Sequence, residues 1–178
     1  MRAPLTRAGV IEALARRRVT LGFMCGALVL WLAQPTWRTL AIGTCVAACG
    51  EAVRLWAAGH VEKGREVTRS GPYRWTRHPL YLGSAVLALG VAIASASLVV
   101  AVIIAIYVGA TIPAAMLAEE RHLREKFGRE YDAYADRRSM PMARAFSLTR
   151  ARLNREHHTV AGLVIGFALL ALKLQLTP

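Results

Sequence analysis

The feature that most constrains this chain is an alternation of long apolar runs with strongly basic segments. Five apolar stretches stand out in the 178 residues, at 19–33, 40–58, 80–94, 98–118 and 159–176. A helix needs about 20 such residues to cross the hydrocarbon of a bilayer. The first and third stretches are shorter and are expected to tilt or to thin the membrane locally. The pattern predicts a single domain, residues 1–178, folded as an all-α polytopic bundle of about five transmembrane helices.

The positive charge of the chain is distributed on one side of this bundle. The sequence is 55% hydrophobic and still carries a formal charge of +12. Five of its 23 Lys and Arg residues precede the first stretch, six lie in 54–77 and ten in 121–155, which leaves only Arg38 and Lys173 for the opposite side. Because basic loops stay in the cytoplasm, we expect the N-terminus and both basic segments there, with a bacterial inner membrane as the location. Basic residues that flank apolar runs also argue against a nucleic-acid partner.

Two polar motifs stand at the two ends of one predicted hairpin. The motif "GPYRWTRHPLYLG" (71–83) leads into the third stretch, and the acidic pair Glu119-Glu120 follows the fourth. Only "ASAS" (94–97) separates these two stretches, so we expect a tight turn and two motifs that meet at the cytoplasmic face. Ionisable groups at a membrane boundary are costly unless they pair or bind something, which makes this cluster the candidate functional site.

The segment after the acidic pair has an amphipathic pattern. "EERHLREKFGREYDAYADRRS" (119–139) places Leu123, Phe127, Tyr131 and Tyr134 at spacings of three and four, which predicts a helix at the cytoplasmic surface. Gly128 is expected to allow a bend, and Pro113 to kink the fourth apolar helix.

Other chemistries find less support in the sequence. No glycine-rich phosphate or dinucleotide fingerprint follows a predicted strand. Glu119 and His122 have the spacing of half a metal site, but there is no second such motif, so no metal is predicted. Glu51 and Arg54, three residues apart in the second stretch, are expected to form an ion pair within their helix.

The two motifs together resemble a known signature. "RHPLYLG" (77–83) followed by "EE" is similar to the signature of the integral membrane methyltransferases that include the isoprenylcysteine carboxyl methyltransferases and the phospholipid N-methyltransferases. The resemblance covers residues 59–138. It is specific for the superfamily and says little about the substrate, and it assigns no role to the fifth stretch, 159–176.

The resemblance implies S-adenosyl-L-methionine as the methyl donor and a set of residues around it. The acidic pair would hold cationic or hydroxyl groups, the basic residues would receive the carboxylate, and Gly83 would let the cofactor approach the backbone. The implied cofactor-binding residues are Tyr73, His78, Tyr81, Leu82, Gly83, Glu119 and Glu120. The implied catalytic residues are Arg74, Arg77 and Glu120. The plainer interpretations are that His78 is an interfacial histidine and that Arg74 and Arg77 are membrane anchors.

The expected function is methyl transfer to a lipid-like or prenylated amphiphile, with carboxyl O-methylation of an isoprenylcysteine-type acceptor first and phospholipid or small-amine N-methylation second. A carboxylate is ionised at neutral pH and needs no base, whereas an amine would give Glu119, Glu120 or His122 a general-base role. Two other classes stay open: a nicotinamide-dependent membrane lipid reductase, which the sterol reductases suggest, and a non-enzymatic adaptor that docks on anionic lipids.

Overall fold

The described part of the chain is helical. The structure, a computed structural model, describes residues 7–176, where seven α-helices and one 3-10 turn occur and no strand. The helices are α1 (Arg7–Leu32), α2 (Trp37–Ala58), α3 (Pro79–Ser95), α4 (Leu98–Phe127), α5 (Arg129–Ala135), α6 (Leu148–Leu153) and α7 (Glu156–Leu176), and the 3-10 turn is Gly71–Arg74.

Three of the helices, α2, α4 and α7, are long and apolar enough to cross a membrane, and Val19–Leu32 and Pro79–Ser95 are shorter apolar helices. The all-α membrane bundle is therefore confirmed, and about five spans are compatible with it. The helix ends differ from the apolar stretches, because α1 begins at Arg7 and α4 continues to Phe127. Hydrophobicity marks the part of a helix that lies in lipid, whereas Arg, Glu, Leu and Lys continue the helix beyond it.

The interface between α2 and α3 is the most extensive in the bundle. It is built on glycines: a Cβ at Gly43 would lie 2.5 Å from the carbonyl oxygen of Gly90, and one at Gly50 would lie 2.5 Å from the backbone nitrogen of Leu87. Without side chains at these points the two backbones approach closely, which is how helices associate in a bilayer. The 3-10 turn of the polar motif in turn packs against α2.

The predicted tight hairpin between α3 and α4 is confirmed. The connection is Ala96-Ser97, with Ala96 in the left-handed region at φ 48°. The hydroxyl of Ser97 accepts a hydrogen bond of 3.4 Å from the backbone N–H of Val100 and so caps α4. The hairpin fixes which residues at the far ends of α3 and α4 face each other.

Helix α4 continues through Pro113 and ends at Phe127, and Gly128 follows as its C-terminal cap. Gly128 has φ 49° and separates α4 from α5, so the predicted bend at this glycine is confirmed. The predicted kink at Pro113 stays a prediction.

The last helix, α7, packs against α2 and also contacts α1. In its final turn, Lys173 Nζ donates hydrogen bonds of 2.8 and 2.6 Å to the carbonyl oxygens of Leu30 and Trp31. These carbonyls end α1 and have no partner inside that helix. The contact ties the last helix to the first.

Candidate active site

The two polar motifs meet, as predicted. His78 is the residue before α3, and its imidazole Nε2 lies 2.9 Å from Oε1 of Glu120 on α4. Pro79 starts α3 because proline fits the first turn of a helix, where its missing N–H is not needed. The hairpin therefore returns the acidic pair to the histidine that precedes it by 42 residues.

Glu120 is surrounded by donors. Besides His78, its carboxylate has Nη1 of Arg77 at 3.5 Å and Nη1 of Arg124 at 3.4 Å, and its side chain is 17% exposed. Such charge-assisted contacts stabilise a carboxylate that has lost most of its water. Glu120 thus joins α4 to the basic motif that precedes α3.

Two buried polar atoms beside this network have no hydrogen-bond partner within the described residues. They are Nδ1 of His78 and the hydroxyl oxygen of Tyr131. A buried polar atom without a partner costs about 1–3 kcal/mol, so such atoms mark places where a ligand group would be stabilising.

A cavity of about 370 Å³, here called the tyrosine cavity, opens next to the network. Its walls are the loop 61–68, the end of α4 and three tyrosines, and they include Tyr73, Arg77, Glu119, His122, Tyr131 and Tyr134. The hydroxyl of Tyr134 donates a hydrogen bond of 2.9 Å to the carbonyl oxygen of Tyr73, which fixes α5 over the 3-10 turn.

The phenols of this cavity stay protonated at neutral pH. Burial, and then the charge of Glu119, raises the pKa of Tyr73 well above its ordinary value. Burial, together with Tyr131, raises the pKa of Tyr134 to about 12. The tyrosines therefore offer neutral aromatic faces and hydroxyl groups to a ligand.

A second cavity of about 500 Å³, here called the central cavity, lies between α1, α3, α4 and α7. Its polar wall carries Arg54, Lys63, Tyr81, Ser84, Glu119 and Glu156. A third space of about 730 Å³, here called the apolar groove, continues from it along α1, α4 and α7. The central cavity and the apolar groove share five lining residues: Gly22, Leu87, Ala88, Tyr107 and Thr159. The polar central cavity therefore opens into the apolar groove.

Glycines keep the apolar groove wide. A Cβ placed on Gly26, Gly162 or Gly166 would meet nothing within 4 Å, and all three line this groove. They differ in this from the glycines between α2 and α3, where a Cβ would collide with backbone atoms.

Comparison with known proteins gives this arrangement a family. The sequence profile of phospholipid methyltransferases matches residues 18–130, well over half of the chain. The chain belongs to the phospholipid methyltransferase family. His78, Glu119 and Glu120 all lie inside the matched region, whereas α6 and α7 lie outside it.

Two curated relatives share part of this family region. The nickel-cobalt-cadmium resistance protein NccN of Alcaligenes xylosoxydans xylosoxydans is 31% identical over 109 residues, which are 60% of this chain and 49% of the relative. The cobalt-zinc-cadmium resistance protein CzcN of Cupriavidus metallidurans is 34% identical over 98 residues, 54% of this chain and 44% of the relative. The chain thus spans about half the length of the curated relatives that it matches. No solved structure matches it significantly.

Several predicted site residues line the two polar cavities or lie next to residues that do. Arg77 and Glu119 line the tyrosine cavity together with Tyr73, and Tyr81 lines the central cavity with its ring 5.9 Å from that of His78. Of these residues, Glu119 alone lines both cavities.

Three others lie elsewhere. Arg74 donates a hydrogen bond of 3.4 Å to the carbonyl oxygen of Met142, on the other side of the 3-10 turn. Leu82 is 52% exposed on the outer face of α3. The missing side chain of Gly83 serves helix packing, because a Cβ there would lie 2.7 Å from the carbonyl oxygen of Gly50 and 2.6 Å from Arg54 Cγ. Helix α2 thus occupies the space beside Gly83 in which the cofactor was predicted to approach the backbone.

Sequence reasoning missed the polar cluster between α2 and α7. The predicted ion pair of Glu51 and Arg54 is present at 3.4 Å, but Arg54 is held more closely by Glu156, with Nη2 2.9 Å from Oε2. Arg54 also donates to the hydroxyl of Ser84. The available signal was an acidic residue three positions before the last apolar stretch, since a charge so close to the membrane is tolerable when it has a partner within the protein.

It also missed the role of residues 139–155, here called the strap. Arg150 Nε donates a hydrogen bond of 2.8 Å to the carbonyl oxygen of Gly59, and the amide of Asn154 donates one of 2.9 Å to that of Ala58. These carbonyls end α2 and need partners. Arg144 Nη2 donates to Glu66 at 2.8 Å, so the strap also holds the loop that forms one wall of the tyrosine cavity.

No group of three potential metal ligands occurs among the described residues.

Proposed function

We propose that this chain transfers a methyl group from S-adenosyl-L-methionine to the polar head of a lipid-like amphiphile. The observation that carries the proposal is the position of Glu119, at the junction of the tyrosine cavity and the central cavity. A donor on one side and an acceptor on the other would meet at this residue. The family membership supports the reaction class.

The tyrosine cavity has the groups that the donor requires. Glu119 is exposed and has no ion-pair partner among the described residues, so it is available to the ammonium or the ribose hydroxyls. Arg77 is 46% exposed and has one contact of 3.5 Å with Glu120, which leaves donors for the carboxylate. The faces of Tyr73 and Tyr131 suit the adenine and the positively charged sulfur.

The central cavity and the apolar groove suit an amphiphile. The groove is open and apolar for three turns of α7, so a hydrocarbon chain would lie along it. The polar wall with Lys63, Tyr81 and Glu119 would then face the head group. Entry from the bilayer avoids moving that chain through water, which costs about 0.8 kcal/mol per exposed CH₂.

When bound, S-adenosyl-L-methionine supplies a methyl group on a positively charged sulfur, and the bond from the acceptor to this carbon forms as the carbon–sulfur bond breaks and leaves a neutral thioether. The protein's part is to align the two reactants and to exclude water. A carboxylate acceptor needs no base. An amine acceptor must lose a proton, and Glu119 and His122 line the tyrosine cavity and would receive it.

Carboxyl O-methylation of an isoprenylcysteine-type acceptor is our first candidate. N-methylation of a phospholipid amine is the second, and the description of the matching family favours it. The two products differ in a simple property: mild base releases methanol from a methyl ester and leaves an N-methyl amine intact.

Calorimetric titration of the detergent-solubilised protein with S-adenosylhomocysteine tests the cofactor site. We expect binding by the wild type and affinity at least about tenfold lower for Glu119→Gln, as for the loss of one charge-assisted hydrogen bond. Glu125→Gln is the matched control, because Glu125 is exposed on the same helix and lines none of the three spaces. Absence of binding to a folded wild-type protein, or equal losses in both variants, would refute the proposed site.

A further inference from the structure

The two cavities that meet at Glu119 share one more residue. Among the described residues, only Lys63 and Glu119 line both the tyrosine cavity and the central cavity. Any donor and acceptor that occupy these cavities together therefore meet between one basic and one acidic side chain.

The charges of Lys63 and Glu119 are not compensated by the protein. Both side chains are exposed, and neither has an ion-pair partner in the described part of the chain. The other charged groups that line the two cavities are paired: Arg54 with Glu156, Arg77 with Glu120, and Glu62 and Glu66 with Arg144. Lys63 is thus the free cation of the junction, within the described residues.

The backbone at Lys63 is held in place although its amine is free. The next residue, Gly64, has φ 70°, a conformation in which glycine is favoured. The flanking residues Glu62 and Glu66 lie 3.7 Å and 2.8 Å from guanidinium nitrogens of Arg144 in the strap. A lysine on a fixed turn presents its charge at a defined place and loses less entropy when it binds.

We propose that Lys63 binds the anionic oxygen group of the acceptor, beside the atom that receives the methyl group. This inference rests on the proposed function and adds the charge class of the acceptor. A lysine in this position repels a protonated amine and attracts a carboxylate or a phosphate. The donor's own carboxylate has Arg77, which lines the tyrosine cavity alone, so Lys63 is left for the acceptor.

For a carboxylate acceptor, the anion at Lys63 is the nucleophile itself. One carboxylate oxygen attacks the methyl carbon, the carbon–sulfur electron pair stays on sulfur, and a neutral ester and a neutral thioether result without release of a proton. For an aminophospholipid, the anion at Lys63 is the phosphate, and the neutral amine is the nucleophile, which gives up one proton after it is methylated.

The test compares an acid with its uncharged analogue. N-acetyl-S-farnesylcysteine and its carboxamide are titrated, with S-adenosylhomocysteine present, into the wild type, Lys63→Met and Arg65→Met. We expect the wild type to bind the acid about tenfold more tightly than the amide and Lys63→Met to bind both alike. Arg65 is the control, because it is exposed on the same turn and lines neither cavity.

The outcomes separate this inference from the proposed function. An unchanged ratio of acid to amide affinity in Lys63→Met overturns the inference, and so does a loss of S-adenosylhomocysteine affinity in that variant, which would make Lys63 a cofactor residue. A wild type that binds no S-adenosylhomocysteine overturns the proposed function instead, while the ratio of acid to amide affinity still reports on Lys63.

A second arm identifies the source of the anionic group. Phosphatidylethanolamine vesicles are offered with labelled methyl donor, and the label is tested for release by mild base. Base-stable label and a KM that rises about tenfold in Lys63→Met would support the inference with the lipid phosphate as the bound anion. A KM that does not change in that variant, for either acceptor, would overturn it.

Discussion

Neighbouring residues of the acidic pair have different roles. Glu120 is 17% exposed and is held by His78, Arg77 and Arg124, whereas Glu119 is exposed to both cavities. Successive residues on an α-helix point about 100° apart, so the pair cannot share its surroundings. From the sequence alone the two carboxylates are equivalent, and it does not indicate which of them is paired with basic side chains of the protein.

A second single residue, His60, leads us to expect a pH-dependent stability. His60, 5% exposed beneath the strap, has its imidazole Nδ1 3.2 Å from the hydroxyl of Ser70. Burial, and then the charges of Arg150, Arg144 and Arg74, lower the pKa of His60 below its ordinary value of 6.5. Well above pH 6.5 the imidazole is neutral in both the folded and the unfolded chain, and the shift has no effect. As the pH falls through 6.5 the unfolded chain takes up the proton before the folded chain does, so the free energy of unfolding falls with falling pH.

The prediction is therefore that thermal unfolding in detergent moves to lower temperature as the pH falls from 7 toward 5, and that His60→Gln removes part of this decline. The midpoint temperatures of the two proteins across this pH range are the measurement. Parallel curves for the wild type and the variant would show that other groups set the acid sensitivity.

At the scale of elements, the α2–α3 pair is the most sharply specified. Gly43 and Gly50 on α2, and Gly83 and Gly90 on α3, are each seven residues apart, which keeps each pair on one face of its helix. This spacing is visible in the sequence. The family signature drew attention to Gly83 as a ligand contact, although the heptad spacing pointed to packing.

A methyl group at this interface should destabilise the bundle. The Cβ of Gly90→Ala would lie 2.4 Å from the backbone nitrogen of Ala47 and 2.6 Å from the carbonyl oxygen of Gly43. Such overpacking costs about 1–3 kcal/mol. Gly109→Ala on α4 is the control, because its Cβ meets nothing within 4 Å and alanine favours the helix. The midpoint temperature of thermal unfolding should be lower for Gly90→Ala than for the wild type and unchanged for Gly109→Ala. Equal midpoint temperatures in the two variants would contradict the packing argument.

Considered as a whole molecule, the fold was predictable and the cavities were not. Apolar stretches, basic loops and the "ASAS" turn were sufficient to predict the bundle and the meeting of its two polar motifs, but not the specific contact of His78 with Glu120. The strap and the link from Arg54 to Glu156 join residues about 80–100 positions apart and depend on tertiary packing, which no local pattern encodes. Lys63 is one of six basic residues in 54–77, and nothing in its own sequence neighbourhood shows that two cavities meet there.

The apolar groove allows a prediction at this scale. Gly166→Phe would fill open space on α7, so we expect it to raise the KM for an acceptor with a long hydrocarbon chain and to leave S-adenosylhomocysteine affinity unchanged. Val164→Phe is the control, because Val164 is exposed on the same helix and does not line the groove. A groove that holds only bulk lipid would give the two variants the same kinetics.

The junction at Lys63 and Glu119 has a kinetic consequence. The tyrosine cavity is built from loops and tyrosines, while the apolar groove is built from membrane helices. A water-soluble ligand and a membrane-dissolved one would thus arrive by separate routes and leave by them. Neither would have to wait for the other, which corresponds to a random order of addition.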